Sequence, residues 1–159
     1  MSNVLVKMME YFGKDVARIN HALKVDGYAR AIAESEGLNG DSLYILHLAC
    51  ALHDIGIPEA LKKHGSIAGK YQEAEGPVVA RPILESLNAD PAAIDRVCYL
   101  IGHHHSYDCI DGLDFQILVE ADFFVNIDEG NMEYEAVKSV HDKIFKTKTG
   151  LRLLETLYI

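Results

Sequence analysis

LYILHLACALHDIGIP, running from Leu43 to Pro58, decides the fold. From Leu43 to His53 the residues are apolar nearly all round a helix, and a helix without a polar face belongs at the centre of a bundle. Asn39-Gly40 supplies a turn before it, with Asp41 or Ser42 to cap it, and Gly56 and Pro58 end it. His53 and Asp54 stand side by side where this helix breaks. An imidazole and a carboxylate need partners in such surroundings. Either they face water at the helix end or they belong to a site.

Outward from this stretch the periodicity stays helical. Val4, Leu5, Met8, Met9 and Phe12 predict a first amphipathic helix ended by Gly13. Asp15 is placed to cap a second, reaching Glu36 with Val16, Ile19, Leu23 and Ile32 on one stripe, and Gly37 stops it. A short helix follows Pro58 as far as Lys63, and Gly65 and Gly69 bracket a loop. Gly76-Pro77 is expected to open another helix ending near Asn88, with a late start or a kink at Pro82. Asp90-Pro91 opens one from Ala92 to at least His103, and Asp111-Gly112 makes a turn. Asp114 is expected to cap a helix reaching about Ile127, and further helices span Tyr134 to Phe145 and Gly150 to Tyr158. No segment alternates as a half-buried strand does. The expectation is all-α: one domain over residues 1–159, a bundle of about seven or eight helices.

Composition agrees with a folded chain. At 159 residues, 49% of them hydrophobic and 25% charged, one core is affordable and disorder is excluded. The net charge of −9 argues against a nucleic-acid polymer as partner, because backbone phosphates are bound by clustered Lys and Arg. No apolar run approaches the ~20 residues of a membrane span, so a cytoplasmic protein without membrane association is expected. Cys50, Cys98 and Cys109 form no C-x-x-C pair, and Cys50 and Cys98 are expected to pack as small hydrophobes.

Three further groups carry potential chemistry. Asp122 shares a helical stripe with Leu118, Ala121 and Val125, while Glu120 points nearly opposite. A carboxylate aimed at the core needs a cation, a donor network or a proton, and a metal or a basic side chain would each serve. In His103-His104-His105, continuing the buried stripe of Ile94, Val97, Cys98 and Ile101 turns His104 and His105 inward and leaves His103 outside. His21 lies off the apolar stripe of its helix, one turn after Arg18. His47, His64 and His141 read as structural or solvated. Imidazoles and carboxylates from several helices suit a borderline divalent cation.

The order R-x-x-H at Arg18 to His21, then Leu52-His53-Asp54-Ile55-Gly56, then Glu120-Ala121-Asp122 resembles the ligand signature of the HD-domain metal-dependent phosphohydrolases, which are all-helical. The resemblance covers most of the chain and implies that His21, His53, Asp54 and Asp122 hold one metal. Two-metal members add a His in the segment aligned with Glu75-Gly76-Pro77 and a later His-His pair. His104 and His105 resemble that pair, but Gly76 stands at the remaining position, so a second ion would rest on His104, His105, Asp54 and Glu75. The cation would be Mn, Fe, Zn, Mg, Co or Ni. The implied reaction is attack of a metal-activated water on phosphorus, with Asp54 orienting the water. Arg18, or His104 and His105 if no second ion binds, would contact the phosphate; Lys62, Lys63 and Lys70 are weaker candidates. The expected partner is a small phosphorylated substrate, such as a nucleotide, and the chain can be a homo-oligomer. Two other readings stay open: a non-catalytic metal-containing or nucleotide-binding signalling module of the same fold, and an iron-dependent oxygenation site, against which Gly76 weighs.

Overall fold

In the computed structural model, which describes residues 2–159, the stretch above forms α3, Gly40–Leu52, and every residue from Leu46 to Leu52 is buried. The helices around it are α1 (Ser2–Phe12), α2 (Val16–Glu36), α4 (Ile57–His64), α5 (Gly69–Ser86), α6 (Pro91–Ile101), α7 (Leu113–Glu129), α8 (Tyr134–Lys143) and α9 (Lys148–Tyr158). A 3-10 turn, Tyr107–Cys109, lies before α7. Among the described residues no strand occurs and there are nine α-helices, slightly more than the seven or eight anticipated. Asn39 occupies the N-cap of α3, without a side-chain bond, in place of Asp41 or Ser42.

α2 and α7 pack against each other most extensively, and both pack on α3. Asp15 caps α2 by accepting the Arg18 amide, and Gly37, at a φ of 79°, closes it. The buried face of α2 differs from the expected stripe. It is formed by Ala22, Val25, Ala29, Ile32 and Ala33, while Val16 is 57% exposed and Ile19 and Leu23 are only half-buried. Three alanines carry little apolar area, so a reading weighted by large aliphatics rotates the face away from them. His21, next to Ala22, is therefore on the buried side.

α7 is enclosed on both sides, by α2 and α3 and by α9. Glu120, expected to point outward, is fully buried. Its carboxylate accepts from the Lys146 and Thr147 amides, the Thr147 hydroxyl and Gln116 Nε2, which satisfies a buried charge without a cation. The N-cap of α7 is Gly112, not Asp114. Asp114 sits in the first turn, where Arg96 of α6 donates to it at 2.7 and 2.9 Å and also to Asp111.

α5 corrects the sequence reading most. It begins at Gly69, not at Gly76-Pro77, and runs through both Pro77 and Pro82 to Ser86. Each proline removes one helical bond, but the helix is held by its packing on α4 and α6. α6 ends at Ile101, short of His103, because Gly102 turns the chain and bonds back to Cys98 and Leu100.

Candidate metal centre

The fold brings one stretch of each central helix to a common point. His21 comes from the middle of α2 and Asp122 from α7, which packs on it. His53 and Asp54 come from the turn that leaves α3, and His104 from the turn that leaves α6. That first turn is tight because Gly56 lies against α5: a Cβ there would stand 2.5 Å from the Gly76 amide nitrogen and 2.7 Å from the Gln72 carbonyl oxygen.

His21 Nε2 lies 3.2 Å from His53 Nε2, 3.1 Å from Asp122 Oδ1 and 3.6 Å from Asp54 Oδ2. His53 Nε2 is 3.6 Å from both carboxylates. Ligand atoms around a divalent ion at ~2.1 Å are spaced by roughly 3.0–3.4 Å, according to coordination number. These separations match that spacing to within a few tenths of an ångström. Asp54 also faces the other way, with its Oδ1 3.7 Å from His104 Nε2.

Each of these three imidazoles is anchored through Nδ1. His21 donates to Glu129 at 2.8 Å, His53 to the Cys50 carbonyl at 2.9 Å, and His104 to the Ile101 carbonyl at 2.7 Å. In the neutral ring the Nδ1 proton leaves Nε2 as the lone-pair nitrogen on the side of the aspartates, an arrangement typical of metal-ligating histidines. His104 Nε2 is buried and has no hydrogen-bond partner. An unpartnered buried nitrogen facing a carboxylate suits a role as a cation ligand. His21, His53 and Asp54 form one group able to hold an ion, and Asp54, His104 and His105 form another. The donor set therefore fits a divalent metal.

Electrostatics point the same way. Burial opposes charging His53, but Asp54 and Asp122 outweigh it and carry its pKa up to about 9. Burial likewise opposes ionising Asp54; His53 and His104 overcome this and bring it down to about 2. Asp122 stays below the usual carboxylate range because His21 and His53 outweigh its burial. His21 is raised, with Asp122 the chief influence opposing its burial. His105 falls to about 4 through burial and the neighbouring His104. Without a cation, protons on His21 and His53 supply the positive charge that the two aspartates demand, and a metal would displace them.

Glu75 takes no part in either group. It accepts from Lys63 at 2.6 Å and from His64 at 3.0 Å. Gly76 is buried, and a Cβ there would meet Ile101 Cγ2 at 2.5 Å, so the position is filled by packing. In place of a histidine, α5 turns Gln72 toward the site. Its Oε1 accepts from His105 Nε2 at 3.0 Å and its Nε2 donates to the Ile67 carbonyl at 2.7 Å. Gly69 leaves room for the His105 ring. His103 stacks on Tyr99 outside the cluster.

A cavity of about 370 Å³ opens onto the cluster, lined by His21, Asp54 and Asp122 together with Arg18, His105 and Glu129. Among the described residues Arg18 is the only Lys or Arg in its wall, and its Nε pairs with Asp15 at 2.9 Å. Lys62 pairs with Glu59, Lys63 with Glu75, and Lys70 lies over Tyr71, all outside that wall. His47 is buried beside Asp26 and Arg30, His64 stacks on Tyr71, and His141 bonds Asp142 and Glu155; none of the three belongs to either group of candidate ligands. Cys50 and Cys98 are buried as expected.

Glu129 and Gln72 were not anticipated. Glu129 lies two turns beyond Asp122 on the same face of α7, and that spacing was a usable signal. Gln72 is hidden from the sequence reading because that reading starts the helix at Gly76-Pro77 and places no element over 70–75, whereas α5 begins at Gly69.

A helical bundle enclosing inward-facing histidines and aspartates defines a class of proteins with divalent-metal sites. Residues 18–146 match the HD domain, most of the chain, and the protein belongs to that family. The family consists generally of metal-dependent hydrolases. No curated protein and no solved structure matches the chain. No helix among the described residues is long and apolar enough to cross a membrane.

Proposed function

We propose that the chain is a metal-dependent phosphohydrolase acting on a small phosphoester, such as a nucleotide, with His21, His53, Asp54 and Asp122 as the ligands of its principal ion. The observation that carries this reading is the set of three Nδ1-anchored imidazoles whose Nε2 atoms converge on Asp54 and Asp122, one of them buried without a partner.

A divalent cation at such a site supplies Lewis acidity and lowers the pKa of a bound water toward ~7. Asp54, placed between the two histidine groups and reaching the cavity, accepts a hydrogen bond from the attacking water and fixes its direction. Arg18 offers its remaining N–H groups to phosphate oxygens, and Asp15 holds the guanidinium in place. His105, kept neutral and fixed through Gln72, is a further contact for the phosphate or a ligand of a second ion.

The test is a phosphoester and nucleotide screen with added Mn²⁺, on wild type and Asp54→Ala. Hydrolysis by wild type, lost in the variant, supports the proposal. Tight metal and nucleotide binding without turnover would instead favour the signalling module, the reading suggested by Gly76.

A further inference from the structure

The cavity carries more acidic than basic side chains in its wall. Asp15, Asp54, Asp122 and Glu129 line it, and among the described residues Arg18 is the only Lys or Arg in the wall, His21 and His105 being neutral when they ligate a metal. Lys24, outside the wall, contributes a second positive charge through its pair with Glu129 at 3.1 Å. Arg18 is balanced by Asp15, and Lys24 by Glu129. One divalent ion would then do no more than neutralise Asp54 and Asp122. Even a second would leave an excess of only two positive charges, enough for one phosphate dianion.

A triphosphate carries about four negative charges, and beyond Arg18 the wall offers only the neutral donors of Gln72, His105 and Asn126 to meet them. Size agrees: about 370 Å³ is near the lower end of the ~300–1,000 Å³ of small-molecule sites. Ile57, 4% exposed, and Ile67, 46% exposed, give the cavity an apolar border beside the charged end.

Resting on the hydrolase reading above, we infer that the substrate carries a single phosphate group esterified to an organic group of about nucleoside or sugar size, and that polyphosphates are rejected by charge. The ester's organic part lies against Ile57 and Ile67, while its phosphate faces Arg18 and the cation.

The experiment compares kcat/KM of the metal-loaded full chain for a nucleoside 5′-monophosphate, diphosphate and triphosphate at fixed free Mn²⁺. The expected result is a fall of about tenfold for each added phosphate. Equal or faster hydrolysis of the triphosphate would overturn the inference. Calorimetric binding of the same nucleotides separates it from the parent proposal. If no ester is hydrolysed the enzyme reading fails, and the selectivity is then decided by whether the monophosphate binds more tightly than the triphosphate. Asp15→Asn keeps a capping side chain and removes one negative charge, so the preference for the monophosphate should narrow. An unchanged preference would show that charge is not its cause.

Discussion

Glu129→Gln isolates the contribution of a residue that touches no ion itself. Glu129 Oε2 accepts the Nδ1 proton of His21 at 2.8 Å and its other oxygen accepts from Lys24 at 3.1 Å. Glutamine can still accept from His21, so geometry and tautomer survive while the charge is lost. A hydrogen bond to a charged group contributes ~1.5–3 kcal/mol and a neutral one ~0.5–1.5. The Glu129 side chain is 35% exposed, so solvent screening favours the lower end of the difference, about 1 kcal/mol. That corresponds to roughly fivefold weaker metal binding. Glu129→Ala removes the acceptor as well and should cost 10–100-fold, the usual range for such outer partners. Titration with Mn²⁺ or Zn²⁺ by calorimetry reads both. Wild-type affinity in both variants would refute the idea that Glu129 sets the basicity and orientation of His21.

Asp54→Ala should lose both bound metal and turnover while far-UV circular dichroism stays near native; full occupancy in that variant would contradict its assignment. Metal affinity should depend steeply on pH. His53, its pKa raised to about 9, is protonated in the metal-free protein at neutral pH and must lose that proton on binding. Apparent affinity therefore falls up to about tenfold for each unit from pH 9 to pH 7. Calorimetry in two buffers of different ionisation enthalpy should detect the released proton. Gly76→His should add no ligand and should destabilise, because its Cβ would meet Ile101 and overpacking costs ~1–3 kcal/mol. Gly56→Ala, which meets α5 backbone, should cost at least as much, a fall of several degrees in Tm. Denaturation at or above wild-type stability in either glycine variant would contradict the packing of the His-Asp turn on α5.

The sequence was most legible where one residue had a single tolerable environment. The all-round apolar α3 had to be central, and Asp122 among Leu118, Ala121 and Val125 had to face inward. His104 and His105 were placed correctly although α6 stops before them, because a turn closed on the Ile101 carbonyl keeps His104 inward. Where packing overrode local preference the reading failed. Alanines define the buried face of α2, so His21 seemed to lie off it and was identified through resemblance. Glu120 is buried because the loop before α9 gives it donors, which lies beyond the reach of α7's own periodicity. Gly76-Pro77 reads as a helix start, yet the glycine serves a close contact between α5, the His-Asp turn and Ile101. Glu75, adjacent in sequence to the expected ligand position, is turned away toward Lys63 and His64.

The central claim is that four groups from three helices share one ion. Anomalous diffraction from protein purified without chelator, with elemental analysis of the same sample, tests it most directly. The account predicts one divalent transition metal at near-stoichiometric occupancy, ~2.0–2.3 Å from His21 Nε2, His53 Nε2, Asp54 and Asp122. A metal bound elsewhere, or saturating Mn²⁺ and Zn²⁺ leaving this cluster without an ion, would contradict it.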